Sequence, residues 1–146
     1  MHSERKLTTS VVVVTKDRPH LIGELLEALA AQTLAPDEIV IVDNNSRLSY
    51  ADVFDLYRTR LPLRIFVETT PGIPAARNRG IQEALNEIVL FTDDDCVPQA
   101  RWLEKMVEPF YRDPHIGAVG GRTTYFGATG TLVERYYRAD RQAAEG

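Results

Sequence analysis

Three consecutive carboxylates, Asp93, Asp94 and Asp95, follow an apolar run in this 146-residue chain. Adjacent carboxylates repel one another, and a divalent cation seated among them relieves the repulsion. Carboxylates spaced i and i+2 at the end of a strand point the same way, so Asp93 and Asp95 can share one ion. Hard oxygen ligands suit Mg2+ or Mn2+. So few protein ligands leave coordination positions for water and for substrate phosphates. Taken alone, the triplet reads equally as a solvated acidic loop before a helix. Cys96 reads as a small, partly buried apolar residue rather than a ligand.

Two further clusters of polar residues leave apolar runs in the same way. Thr15, Lys16, Asp17 and Arg18 follow the first run, and Asp43, Asn44, Asn45 and Ser46 follow the second. Asp, Asn and Ser are ordinary turn residues, so any one cluster is unremarkable. Three acid-bearing loops at one sheet edge point to a phosphate or nucleotide site. Asp43 can accept hydrogen bonds from a nucleobase N–H or a ribose hydroxyl; its other reading is an Asx-turn. No Gly-x-Gly-x-x-Gly follows the first run, and no Gly-x-x-x-x-Gly-Lys-Ser/Thr occurs. The glycine cradles of dinucleotide and P-loop sites are therefore missing. A cation on carboxylates can neutralise a diphosphate instead. Arg77, after the turn Pro71 to Pro74, reads as an added positive group for that site, whereas Arg79 reads as a solvated helix residue.

The elements that must position these residues alternate. Ser10–Thr15, Glu38–Asp43, Leu63–Glu68 and Glu87–Thr92 are apolar and β-branched, as strands buried on both faces require. Between them the spacing predicts helices over Pro19–Gln32, Tyr50–Leu61 (with Ser49 as a cap) and Ala75–Asn86. The last of these is expected to turn Ala76, Gly80, Ile81, Ala84 and Leu85 inward. A helix over Gln99–Arg112, a short strand over Ile116–Gly121 and a helix-like stretch over Gly130–Ala144 follow. The pattern predicts an α/β fold, Rossmann-like, with a mainly parallel sheet and helices on both faces. Ligands in such sheets bind beyond the carboxyl ends of the strands, where the strand order switches.

Composition narrows the function. The chain has 17 Lys+Arg against 21 Asp+Glu, for a formal net charge of −4. That balance argues against nucleic acid as a partner, since phosphate neutralisation drives such binding. The single cysteine excludes a disulfide framework. Met1 to Ser10 hold no apolar signal core, and no run approaches the roughly 18 to 20 apolar residues of a membrane span. The expected location is cytoplasmic, or the membrane surface within a longer parent protein.

Four segments together resemble the nucleotide-binding half of the family 2 glycosyltransferases, which have the GT-A fold. They are Val11–Arg18, Gln32–Ser46, Gly72–Gly80 and Phe91–Pro98, the last containing an Asp-x-Asp motif. A lone Asp-x-Asp is weak, but four segments in the right order and spacing are specific. The resemblance covers about residues 10 to 126, after a polar tail over residues 1–9 and before a helical segment over 127–146. It implies that Thr15, Asp17, Arg18 and Asp43 line the base and ribose pocket, with Arg77 close to base or phosphate. It implies that Asp93 and Asp94 approach the nucleotide sugar, and that Asp95, with Asp93, holds the Mn2+ or Mg2+. The donor is then a nucleoside-diphosphate sugar, and transfer to an acceptor hydroxyl inverts the anomeric carbon.

Such transfer needs a carboxylate base that no residue after Asp95 is nominated to supply. The expectation is a donor domain that lacks its acceptor half and is weakly active or inactive alone. Self-association through the surface so exposed, with Leu132, Tyr136 and Tyr137 as contacts, is a further expectation. The acceptor is undefined. A non-catalytic nucleotide-sugar-binding module is the alternative, and a nucleotidyltransferase is disfavoured because Thr15 to His20 contains no glycine.

Overall fold

The computed structural model describes residues 5–124. Residues up to Ile116 form one unit, and those from Gly117 onward belong to a second. The first unit runs β1 (Thr9–Thr15), α1 (Pro19–Ala30), β2 (Glu38–Asp43), α2 (Ala51–Tyr57), β3 (Leu63–Val67), α3 (Ile73–Glu83), β4 (Ile88–Asp93) and α4 (Trp102–Arg112). The four strands form one parallel sheet in the order β3-β2-β1-β4. The chain builds outward from β1 through β2 to β3, then returns to place β4 on β1's other side. The strand order therefore switches between β1 and β4, the position where such sheets open a crevice.

Period-two alternation divides the strands between two cores. Val11, Val13, Ile39, Ile41 and Leu90 pack with Ile22, Leu25, Leu26 and Leu29 of α1, Phe54 and Tyr57 of α2, and Leu103 and Val107 of α4. Val12, Val40 and Val42 pack on the opposite face with Ala76 of α3. Helices thus cover both faces, as expected. Each fully buried leucine or isoleucine of α1 contributes about 1.5–3 kcal/mol from water exclusion. Gly80 lets α3 lie directly on β1: a Cβ there would fall 2.3 Å from Val12 Cγ1.

Several boundaries differ from the sequence expectation. The α2 helix stops at Tyr57, and a turn closed by Leu61 N–H to Tyr57 C=O (2.9 Å) follows, because Pro62 disfavours helical geometry at Leu61. The N-cap is Tyr50 rather than the expected Ser49, whose Oγ accepts only the Ala51 N–H two residues on, at 3.2 Å. The α3 helix begins at Ile73, with Pro74 in its first turn, and ends at Glu83 because Ala84 is extended. Ile81 and Leu85, expected inward, are exposed; α3 meets the sheet through Ala76 and Gly80 instead. The α4 helix starts at Trp102, where Gln32 Oε1 accepts the Leu103 N–H (3.0 Å) and ties it to the end of α1.

The strand expected over Ile116–Gly121 does not form. The Ile116 N–H closes a turn on Asp113 C=O, and three glycines weaken any extended pairing beyond it. The polar residues before the sheet are tied down from Arg5: Lys6 pairs with Asp37 (2.9 Å), and Thr9 already belongs to β1. The expected C-terminal helix and the contacts at Leu132, Tyr136 and Tyr137 lie outside the described residues. Among the described residues, no helix is long and apolar enough to cross a membrane.

Candidate functional site

The carboxyl ends of β1, β2 and β4 carry the polar clusters, and strand alternation assigns each side chain to a face. Asp93 ends β4 on the α3 side, where Val14 of β1 is its neighbour. Arg77 of α3 reaches its Oδ1 at 3.4 Å. Asp94 turns to the opposite side and is buried. Its Oδ2 accepts the Thr15 hydroxyl at 2.8 Å, and its Oδ1 accepts Arg18 Nη1 at 3.3 Å. Asp95 is exposed again, 3.7 Å from the same guanidinium nitrogen.

Asp93 and Asp95 therefore flank a buried anchor. Their carboxylate oxygens and the Cys96 sulfur all lie within 4.8 Å of one another. Two exposed oxygen donors this close fit a hard divalent cation, with room for further oxygen ligands. Burial pushes the Cys96 thiol up, and the Asp93 and Asp95 charges add to the shift.

Two of the expected pocket residues face inward. Thr15 is buried, with its hydroxyl committed to Asp94 and to Tyr50 Oη (2.7 Å). Asp94, equally, is inside the wall. Both shape the site from behind, and neither side chain presents a free polar atom to a ligand. Asp17 adopts positive φ (52°), and its Oδ1 accepts the N–H groups of Arg47 (2.6 Å) and Leu48 (3.1 Å). The Leu48 and Arg47 N–H groups hold its carboxyl below the usual range. Asp17 is thus a clasp between the β1 and β2 exits. Asp43 makes the Asx contact, its Oδ1 accepting the Ser46 N–H at 2.9 Å. Its Oδ2 has no protein partner among the described residues.

Arg79 is not a solvated helix residue. Its guanidinium lies 5.3 Å from the Phe66 ring centroid and pairs with Glu83 at 2.9 Å. Two contributors were missed. Asn44 is buried, donates from Nδ2 to Glu68 C=O (2.9 Å) and Thr70 C=O (2.8 Å), and accepts the Gly72 N–H (3.1 Å). It grips the loop that starts α3 and so aims Arg77. Gly72 sits there at φ 107°, which other residues rarely adopt. Tyr50 is the second, and its only sequence signal was its place as the first residue of an expected helix, which in the structure begins one residue later.

The arrangement gathers two exposed carboxylates, two guanidiniums and an Asx loop at the switch-point edge of the sheet. The profile of the family described as Glycosyl transferase family 2 matches residues 10–143. The chain belongs to that family. The uncharacterized glycosyltransferase YwdF of Bacillus subtilis is 39% identical over 100 residues, covering 68% of this chain and 37% of YwdF. TarS 1–349 of S. aureus in complex with UDP superposes with a TM-score of 0.65 at 31% identity, over 73% of this chain and 32% of that one. The mannosyltransferase PcManGT of Pyrobaculum calidifontis, in complex with GDP-Man and Mn2+, gives a TM-score of 0.68 at 28% identity, over 78% of this chain and 35% of that one. The family 2 chain thus carries a GT-A fold and spans well under half the length of these relatives.

Proposed function

We propose that residues 10–126 form the donor domain of an inverting glycosyltransferase and bind a nucleoside-diphosphate sugar with a divalent cation. The observation that carries this reading is the pair of exposed carboxylates, Asp93 and Asp95, on either side of buried Asp94 at the β1/β4 switch. The UDP and the GDP-Man with Mn2+ held by the two solved relatives support it.

In this reading Asp95, with Asp93, holds Mn2+ or Mg2+, whose charge stabilises the departing nucleoside diphosphate. Asp43 receives a base N–H or a ribose hydroxyl at its open oxygen. Arg77 and Arg18 exchange part of their contact with the carboxylates for the phosphates, which suit guanidinium geometry. Thr15, Asp17 and Asp94 keep these groups in place. Sugar transfer further needs a carboxylate to deprotonate the acceptor hydroxyl from the opposite face of the ring. Among the described residues, the carboxylates at this edge already serve the loops, the nucleotide or the cation. The described residues alone are therefore expected to bind donor and to transfer little.

Calorimetry with UDP and GDP, with and without Mn2+, tests the reading. Cation-dependent binding that Asp95→Ala abolishes is the expected result. Binding indifferent to both the cation and Asp95 would sink it.

A further inference from the structure

We infer that Tyr50, which lies outside the acidic motif, positions Asp93 and Asp95 through a directed chain of hydrogen bonds. The inference rests on the donor-site reading above and deepens it. Tyr50 is 5% exposed and stacks on Phe54 with ring centroids 5.3 Å apart. Its hydroxyl lies 2.7 Å from Thr15 Oγ1 and accepts the Arg18 N–H at 2.8 Å.

The donor directions follow from chemistry. A carboxylate only accepts, so the Thr15 hydroxyl must donate its one proton to Asp94. The Tyr50 hydroxyl must then donate to Thr15, and its own oxygen receives the Arg18 N–H. Arg18 also ends the chain, because its guanidinium reaches the other oxygen of Asp94. The result is a closed ring from Arg18 N–H through Tyr50, Thr15 and Asp94 back to Arg18. Every member has a partner, and each bond polarises the next.

The ring joins the β1 exit, the start of α2 and the turn after β4. Asp94 is the residue between the two exposed carboxylates, so fixing Asp94 fixes the directions of both neighbours. Removing the Tyr50 hydroxyl leaves the Arg18 N–H without its partner and takes from Thr15 the donor that orients and polarises its bond to Asp94. Both restraints on Asp94 are then weakened. Tyr50 is a positioning residue: it touches no ligand and acts through Thr15 and Asp94. Outer-shell partners of this kind change metal affinity by roughly 10- to 100-fold.

The test compares Tyr50→Phe with Tyr57→Phe. Tyr57 ends α2, the helix that Tyr50 precedes, is also buried, and spends its hydroxyl on Glu27 (3.0 Å) rather than on the ring. Affinity for UDP and for GDP with Mn2+ is expected to fall about tenfold in Tyr50→Phe and to stay unchanged in Tyr57→Phe. Thr15→Val should reproduce the loss, Thr15→Ser should restore binding, and the Tyr50→Phe/Thr15→Val double variant should be no weaker than either single one. Equal affinity in Tyr50→Phe and the parent chain overturns the inference. Equal losses in Tyr50→Phe and Tyr57→Phe also overturn it, because they mark a general structural effect. If the parent chain binds neither nucleotide, the donor reading fails, and ligand-free amide exchange decides the inference. Faster exchange at residues 93–96 in Tyr50→Phe, relative to Tyr57→Phe, upholds it; equal exchange refutes it.

Discussion

Three identical side chains in a row divide into two jobs, because strand geometry sends them to different surroundings. Asp94 is enclosed between Thr15 and Arg18, while Asp93 and Asp95 stand in solvent. Asp94→Ala therefore removes a buried partner from a hydroxyl and a guanidinium. It should lower stability by about 1–3 kcal/mol, seen as an earlier thermal unfolding midpoint. An Asp94→Ala midpoint equal to that of the parent chain would contradict the anchoring role. The triplet's capacity for a cation was legible in sequence, from residue type and the i, i+2 spacing alone. The division of labour was half legible: alternation separates Asp94 from its neighbours, but the partners that enclose it come from the end of β1 and the loop after it, 79 and 76 positions away. Thr15 and Asp17 show the cost of that distance. Both are expected in the pocket, but the Thr15 hydroxyl is taken up by Tyr50 and Asp94, and Asp17 Oδ1 by the Arg47 and Leu48 N–H groups.

At the scale of elements, β1 and β2 were plain to read because burial on both faces demands unbroken β-branched runs, whereas β3 and β4, expected to be buried likewise, are edge strands and only partly covered. Helix ends were less plain. Pro62 and the extended Ala84 set them, and packing decided that α3 would meet the sheet through Ala76 and Gly80 while Ile81 stayed outside. The loops were least legible, since what orders them is a side chain from another loop. Asn44 is the example: it joins the β2 exit to the segment between β3 and α3 through three hydrogen bonds. Asn44→Ala is expected to cost about 1–3 kcal/mol in urea unfolding, because buried backbone groups lose their partners. It should also weaken nucleotide binding, since the α3 start that carries Arg77 loosens. A variant as stable as the parent would show that water replaces Asn44 fully.

For the whole molecule, the acidic end of the sheet has a counterpart at the opposite end. Glu38 is buried there, where its carboxylate receives the Leu85 N–H (2.6 Å), the Ser10 hydroxyl (2.5 Å) and Arg64 (2.9 Å). Burial alone would raise its pKa, but these hydrogen bonds and the Arg64 charge outweigh it and hold the group below the ordinary 4.5. A depressed carboxylate binds its proton later in the folded than in the unfolded chain. Its stabilisation is thus complete above about pH 4.5 and disappears as pH falls through the folded value. Urea unfolding between about pH 7 and 3 should show stability declining on the acid side. Glu38→Gln should be less stable at neutral pH and less sensitive to acid. An unchanged acid slope in Glu38→Gln would exclude this group as a source of the decline.

The contact at Gly80 bears on motion as well as on packing. With no side chain between α3 and Val12, the helix has no compressible layer to roll or slide upon. The backbone that carries Arg77 then moves with the sheet as one body, and the guanidinium is left with only the rapid rotation of its own bonds. Such a mount lets a charged group search a bound phosphate on the picosecond-to-nanosecond scale without waiting for a slower rearrangement of the fold.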